Sequence, residues 1–183
     1  MLEDIENKAF LFYAVDRSKW VEIIYSAADL MEAIRALPDD KEGTDRKATA
    51  LHEASELLSA SFFNIVDRVN CISIGGDCEF FDKFLPHMKQ DEECLKAEHA
   101  GWAWITDNPL SFGTIDMQSL TDIKETLATL LSMPADELAK QVKSVDYVVR
   151  LYDMMSKFRV KEGQIIVWYT VDEDDSWDDP WDD

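Results

Sequence analysis

The segment Gln164-Ile-Ile-Val-Trp-Tyr-Thr-Val171 decides the fold of this 183-residue chain. Its run of β-branched and aromatic residues is the strongest strand signal in the sequence. Gly163 directly before it ends the preceding helical unit. A second apolar run, Ala9-Phe-Leu-Phe-Tyr-Ala-Val15, also has the character of a buried strand. We therefore expect strands near 9–15 and 164–171 to form the centre of a small β-sheet.

Two amphipathic helices are predicted to follow the first strand. Ser18 can cap a helix whose apolar residues recur at helical spacing until Pro38 stops it. Asp45 then opens a second helix, and the apolar face of this helix continues to Val69. Both helices carry enough apolar residues to cover one face of a sheet.

The middle of the chain has weaker signals. A short strand is possible at Cys71–Gly75, and a third helix is predicted to begin at Asp77. The alternation of large and small residues at Gly101–Ile105 suggests an edge strand. Ser119 followed by Asp122 resembles a capping box, so a Leu-rich helix is expected to begin there.

Two more helices are predicted before the last strand, one with Pro134 in its first turn and one that starts at Ser144. The complete pattern predicts an α+β fold: a helix-rich single domain with a small central sheet covered by amphipathic helices. We assign residues 1–171 to this domain and residues 172–183 to a disordered acidic-aromatic tail.

The composition is that of a globular protein, with 46% hydrophobic and 31% charged residues. Acids occupy the N-terminus where a secretory signal would carry lysines, and no apolar run approaches the roughly 18 residues that span a bilayer. Three cysteines, Cys71, Cys78 and Cys94, are odd in number and irregularly spaced, which argues against a disulfide framework. We expect a soluble cytoplasmic protein.

The net charge of this chain is unusually negative. The sequence has 38 acids and 18 bases, which gives a net charge of −20. Nucleic acid and anionic membranes are disfavoured as direct partners, since both depend on Lys and Arg for binding. A basic protein surface, such as that of a nucleic-acid-binding protein, would be attracted at long range. The alternative is that the acidity only promotes solubility. Neither the composition nor the pattern indicates an oligomeric state.

Metal and cofactor chemistry has little support in the sequence. Cys78, His87, Cys94 and His99 are the nearest candidate metal ligands, but their spacing matches no zinc pattern. His52-Glu53 resembles the start of a helical zinc motif, yet Glu56 replaces the second histidine. We therefore predict no metal and no cofactor.

Catalytic residues cannot be assigned either. Cys71 or Ser73 could be paired with a histidine, but Cys71 on an apolar strand is expected to belong to the core. Gly75-Gly76 is followed by acids and no lysine, so it would repel a phosphate. The sequence favours a binding protein over an enzyme and predicts no catalytic residue.

The last twelve residues have the most distinctive composition, with eight acids, no base and two tryptophans. Exposed indoles are unfavourable unless a partner sometimes buries them, and an aromatic anchor among acids can fill an apolar pocket rimmed by Lys and Arg. A purely solubilising terminus is the alternative. The predicted partner-binding residues are Asp172, Glu173, Asp174, Asp175, Trp177, Asp178, Asp179, Trp181, Asp182 and Asp183.

Two resemblances accompany these interpretations. The tail resembles the acidic C-terminal tails of single-stranded-DNA-binding proteins, which recruit other replication proteins, although the rest of the chain lacks a basic DNA-binding surface. Residues 119–171 resemble the C-terminal half of the YfbM-like family of uncharacterised bacterial proteins in the order of helices, the glycine at Gly163 and the terminal strand. Phe12-Tyr13 is similar to the opening strand of that family. This second resemblance implies an α+β fold and transfers no functional residue.

The leading functional hypothesis is a non-enzymatic acidic protein-binding module. It would be an inhibitor or nucleic-acid mimic that docks on a basic protein surface, as phage or mobile-element inhibitors and immunity-type proteins do. Acids on the folded body would then mimic phosphates, while Trp177 and Trp181 anchor the tail. One alternative is a small cytoplasmic enzyme or ligand-binding domain of the YfbM-like type, for which a deep pocket containing His52, His99 or Cys71 close to carboxylates would be evidence. Another is a structural or assembly component, which the abundant aromatic residues suggest and a stable oligomer would reveal.

Overall fold

A computed structural model describes residues 8–85 and 112–172 of the chain. They form a four-stranded antiparallel sheet with the order β2-β1-β4-β3. The strands are β1 Lys8–Asp16, β2 Val66–Gly75, β3 Phe112–Ile115 and β4 Gln164–Asp172. The two apolar runs that predicted the fold are β1 and β4, and they occupy the centre of the sheet. The predicted α+β class is therefore confirmed.

The described residues also form six helices. These are α1 Arg17–Arg35, α2 Lys41–Ile65, α3 Cys78–Phe84, α4 Met117–Leu131, α5 Ala135–Gln141 and α6 Val145–Lys157.

The helices lie in two layers, one on each face of the sheet. Strand residues such as Tyr13 and Val167 pack against the buried sides of α1 and α2, where the ring centroids of Tyr13 and Phe62 are 5.8 Å apart. Phe12 and Ile166 point to the opposite face, which α3 to α6 cover with a larger set of buried residues. Because β1 and β4 are buried on both faces, their apolar runs have no polar alternation.

The antiparallel pairing defines two ends of the sheet. At one end, which we call the terminal end, Lys8 pairs with Asp172, Ala9 with Gly75, and Phe112 with Tyr169. At the other, which we call the bulge end, Asp16 pairs with Gln164. The β1–β2 register there shifts from Tyr13↔Cys71 to Val15↔Val66, so residues 67–70 protrude from the ladder.

Three predicted helix starts are wrong by several residues. Asp16 caps α1 through a 3.0 Å hydrogen bond from the Lys19 amide, and Ser18 only donates its hydroxyl hydrogen to Asp16. Asp40, five residues after α1 ends and five before Asp45, caps α2. Asp116 caps α4 by accepting from the Ser119 amide at 2.7 Å. In each case an aspartate nearer the preceding element satisfies the free amides of the first turn.

The other predicted starts agree with the structure. Asp77 caps α3, Ser144 caps α6 by accepting from the Tyr147 amide at 3.2 Å, and Pro134 lies immediately before α5. Gly163 has a φ of 82° and forms the turn before β4. That left-handed conformation explains why a glycine stands there.

The end of the second helix is also a correction. The predicted apolar face continued to Val69, but α2 ends at Ile65, and Val69 is 92% exposed on the protruding part of β2. Pairing with β1 overrides the local helical periodicity, because the β-branched residues Ile72 and Ile74 fit the ladder. Strand β3 was missed, while the edge strand predicted at 101–105 lies outside the described residues.

Candidate partner-binding surface

The proposed partner-binding segment begins where the central strand β4 ends. Residues 165–170 are all buried, and β4 pairs with both β1 and β3. Asp172 is the last residue of this strand and pairs with Lys8. A strand held on both sides and buried on both faces opens only with much of the fold. The proposed partner-binding segment is therefore attached to a stable, buried strand of the fold.

Three stretches of sequence outside the described residues adjoin the terminal end. β1 begins there after residues 1–7, β3 begins there after residues 86–111, and β4 ends there before residues 173–183. These stretches together contain 15 of the 38 acids and 2 of the 18 bases. The remaining 23 acids and 16 bases belong to the described residues. The surplus of acids is thus concentrated in sequence that adjoins one end of the sheet.

The predicted partner-binding residues have different positions relative to the described chain. Asp172 is in β4, and nothing about its side chain is described. The others lie outside the described residues, and they are Glu173, Asp174, Asp175, Trp177, Asp178, Asp179, Trp181, Asp182 and Asp183. Their participation in binding remains a prediction.

Many carboxylates of the folded body have local structural partners. The Ser18 hydroxyl and the Lys19 amide lower the pKa of Asp16, and the Ser119 amide lowers the pKa of Asp116. Each is the cap of a helix. Lys143 lies 2.8 Å from Glu79 and lowers its pKa. These carboxylates cap helices or pair with a lysine at separate places on the body.

The bulge end is held together by side chains that the sequence pattern did not single out. The Asn70 amide nitrogen donates to the backbone oxygen of Arg159 at 2.9 Å, and the Asn70 amide oxygen accepts from the Arg159 backbone nitrogen at 3.2 Å. Asp67 accepts from Asn70 at 3.1 Å and from Lys161 at 3.4 Å. The protruding residues of β2 are therefore fastened to the connection between α6 and β4.

Basic side chains gather around this connection. Lys124 of α4 donates to the backbone oxygen of Phe158 at 3.4 Å. Partial burial, and then the positive charge of Arg159, lower the pKa of Lys124. Arg68 is exposed on the protruding segment beside Val69. We call Arg68, Lys124, Arg159 and Lys161 the basic cluster, and the carboxylate of Asp67 lies among them.

The sequence offered one signal for this feature. Asp67-Arg-Val-Asn70 is a polar break between two apolar runs, which is compatible with a turn or bulge as well as with a helix surface. The basic cluster has no such signal, because its members are separated by as many as 93 positions in the sequence.

Two of the candidate metal-ligating or catalytic residues, His52 and Cys71, lie on different elements of the described chain. His52 is exposed on α2 and lies 3.5 Å from Glu56. Cys71, which we expected in the core, is exposed on β2, which is an edge strand of the sheet. The side chain of Cys78 is not described, and His87, Cys94 and His99 lie outside the described residues. Within residues 8–85 and 112–172, no three His, Cys, Asp or Glu residues are grouped so that they could hold a metal ion.

A shallow groove lies between α3 and the end of α5. It is lined by Phe80, Phe84 and Val142 together with charged side chains. Lys83 donates to the backbone oxygen of Gln141 at 3.1 Å and lies 4.8 Å from the Phe84 ring centre. Since these contacts already engage Lys83, and Lys143 is bound to Glu79, the described lysines of the groove serve to join α3 to α5.

Neither a family model, a curated protein nor a solved structure matches the chain. The resemblance of residues 119–171 to the YfbM-like family therefore stays a prediction based on sequence pattern. In the described part of the chain, no helix is both long and apolar enough to cross a membrane.

Proposed function

We propose that this protein is a non-enzymatic acidic binding module that docks on a basic protein surface through residues 172–183. The proposed partner is a protein whose basic surface normally holds nucleic acid, and binding would inhibit it. An inhibitor of phage or mobile-element origin and an immunity-type protein both fit this description. We further propose that the module works in the cytoplasm.

One observation carries the proposal. The most acidic stretch of the chain, with eight acids, no base and two tryptophans, continues directly from the buried central strand β4. Carboxylates in sequence that adjoins one end of a fold produce a directional field, which attracts a positive partner before contact. A mainly solubilising role would not require two costly indoles among these acids.

The proposed mechanism has two steps. Long-range attraction between the acids and a basic surface would raise the rate of encounter, and this rate would fall as salt screens the charges. Trp177 and Trp181 would then enter apolar pockets on the partner and slow dissociation, because large aromatic residues supply most of the binding energy of small interfaces. The folded body contributes by holding the segment, since many of its own carboxylates are occupied in caps and ion pairs.

The experiment compares four immobilised versions of the full chain in capturing proteins from a host lysate at about 0.05 M and 0.5 M salt. They are the wild type, a variant without residues 173–183, the double variant Trp177→Ala/Trp181→Ala, and the control Tyr25→Ala. Tyr25 is 59% exposed on α1, so the control removes an exposed aromatic ring from the folded body instead of the tail.

The expected result is a captured protein that binds the wild type and the Tyr25→Ala variant at low salt only. Deletion of residues 173–183 should abolish its binding, and the double tryptophan variant should weaken binding at least about tenfold, as expected for two anchor residues. Single-stranded or duplex DNA should displace it if its basic surface holds nucleic acid. Equal capture by the wild type and the deletion variant would contradict the proposal.

A further inference from the structure

The basic cluster at the bulge end contrasts with the net charge of the whole chain. Four basic residues, Arg68, Lys124, Arg159 and Lys161, surround residues 67–70 and 158–161, while the complete sequence has a charge of −20. The members of this cluster differ in the kind of contact that they make. Lys161 contacts Asp67, whereas Lys124 and the Arg159 side chain donate to backbone oxygens of Phe158 and Ser156.

The repulsion between Lys124 and Arg159 is a further sign that positive charge is concentrated here. Burial is the first cause of the lowered pKa of Lys124, and the charge of Arg159 is the second. An anionic ligand near Arg159 would relieve this repulsion. The surface also has an apolar element, because Val69 is 92% exposed at the tip of the protruding segment.

These features fit a peptide that carries both carboxylates and large apolar side chains. Carboxylates form charge-assisted hydrogen bonds with Arg and Lys, and an indole can lie against an arginine plane and an exposed valine. The chain itself contains such a peptide in residues 173–183, with seven acids and two tryptophans. Its attachment point, Asp172, is at the terminal end, and the basic cluster is at the opposite end of the same sheet.

Chain length decides whether the peptide can reach the cluster of its own molecule. Asp172 and Gln164 are separated by about 27 Å along β4 at the rise of an antiparallel strand. Trp177 can extend at most about 18 Å beyond Asp172, and Trp181 at most about 32 Å. Trp181 can therefore reach the bulge end of its own chain but Trp177 cannot, so only a second molecule can receive both tryptophans.

We infer that residues 173–183 of one molecule dock on the basic cluster of a second copy, so that the protein associates head to tail. The two surfaces differ, so a pair retains one unused acidic segment on one molecule and one unused basic cluster on the other. Such a heterologous contact can continue into longer assemblies. Self-association then competes with binding to another protein, because both use the same segment.

The first test is sedimentation velocity of the full chain at increasing concentration in about 0.15 M salt, where the screening length of about 8 Å weakens repulsion between the two acidic molecules. The average sedimentation coefficient should rise with concentration and return to the monomer value at about 0.5 M salt. Arg159→Glu should weaken association at least about tenfold, since it places a like charge against the acidic segment.

Lys41→Glu is the matched control for the charge reversal. It changes the net charge equally, but Lys41 is at the opposite end of α2 from Ile65, about 36 Å away along the helix. This variant should associate like the wild type. Far-UV circular dichroism checks that both variants keep the fold. A monomeric wild type at about 0.5 mM, or equal loss in both variants, would overturn the inference.

Complementation tests the head-to-tail geometry directly. Arg159→Glu keeps the acidic segment, and Trp177→Ala/Trp181→Ala keeps the basic cluster, so neither variant should associate alone. A mixture of the two should form one-to-one complexes that do not grow further. A mixture that stays monomeric while the wild type associates would exclude this interface.

The result is distinguishable from a failure of the proposed function. Arg159→Glu leaves residues 173–183 unchanged and should still capture the heterologous partner. Loss of self-association in that variant with retained capture supports both proposals, whereas self-association that is unchanged by the substitution overturns only this inference.

Discussion

The terminal end and the bulge end belong to the same four strands, yet they use charge in opposite ways. At the bulge end, Asp67 accepts hydrogen bonds from Asn70 and Lys161. Sequence that adjoins the terminal end has a large surplus of acids over bases, 15 against 2. The contrast is consistent with the proposal that the acidic segments bind a partner, while hydrogen bonds at the bulge end hold the fold together.

The largest expected effect concerns packing at the terminal end. A Cβ atom on Gly113 would approach the indole nitrogen of Trp168 to 2.4 Å, and this indole is 95% buried. Gly113→Val should therefore destabilise the fold by about 3 kcal/mol, because the ring must leave its position in the core. Urea denaturation gives the free energy of unfolding.

Gly163 at the bulge end provides the comparison. A Cβ atom there has no neighbour within 4 Å, but the residue has a φ of 82°. Gly163→Ala should cost only about 1 kcal/mol, and Gly163→Asn less, because asparagine tolerates the left-handed conformation. A larger loss for Gly163→Ala than for Gly113→Val would show that strain rather than packing dominates.

The second prediction concerns the anchor of the bulge. Asn70 makes two hydrogen bonds with the backbone of Arg159 and one with Asp67. Asn70→Ala should lower the free energy of unfolding by about 2 kcal/mol, because the partners of a partly buried amide lose their hydrogen bonds. Val69→Ala is the neighbouring control and should remain within about 0.5 kcal/mol, since Val69 is almost fully exposed. Equal losses in both variants would contradict an anchoring role for the Asn70 amide.

The smallest expected effect is a change in acid sensitivity at the same end. The Asn70 amide is the main cause of the lowered pKa of Asp67, with the Val69 amide and Lys161 adding to it. The folded protein therefore binds fewer protons at Asp67 than the unfolded chain does. Its stabilising contribution is present above about pH 4 and is lost as the pH falls further.

Asp67→Asn should remove this contribution, so the stability of the variant should change less between about pH 5 and pH 2 than that of the wild type. Thermal unfolding across this range measures the difference. Parallel pH profiles for the two proteins would show that folding does not lower the pKa of Asp67.

The sequence predicted the elements whose signal is local and strong. The apolar runs at 9–15 and 164–171 predicted the two central strands, and Asp77 and Ser144 were identified as helix starts. The caps at Asp16, Asp40 and Asp116 were missed, because several nearby Ser, Thr and Asp residues are equally suited to capping. Which of these residues becomes the cap depends on which one the folded chain places next to the free amides of the first turn.

The boundary between α2 and β2 could not be predicted from the local sequence pattern alone. Val66, Val69 and Ile72 are compatible with a helix face as well as with a strand, and pairing with β1 decides between them. The two candidate binding surfaces also differ in how far the sequence predicted them. The acidic segment was evident from composition, whereas the basic cluster combines residues from β2, α4 and the α6–β4 connection.

The sequence by itself determined the class of the fold, its central strands and the excess of negative charge, because burial periodicity and composition are properties of short segments. Only the tertiary structure decided that acid-rich sequence adjoins one end of the sheet and that bases gather at the other. The physical reason is that antiparallel pairing sets which strand ends become neighbours, and this pairing joins residues distant in the sequence.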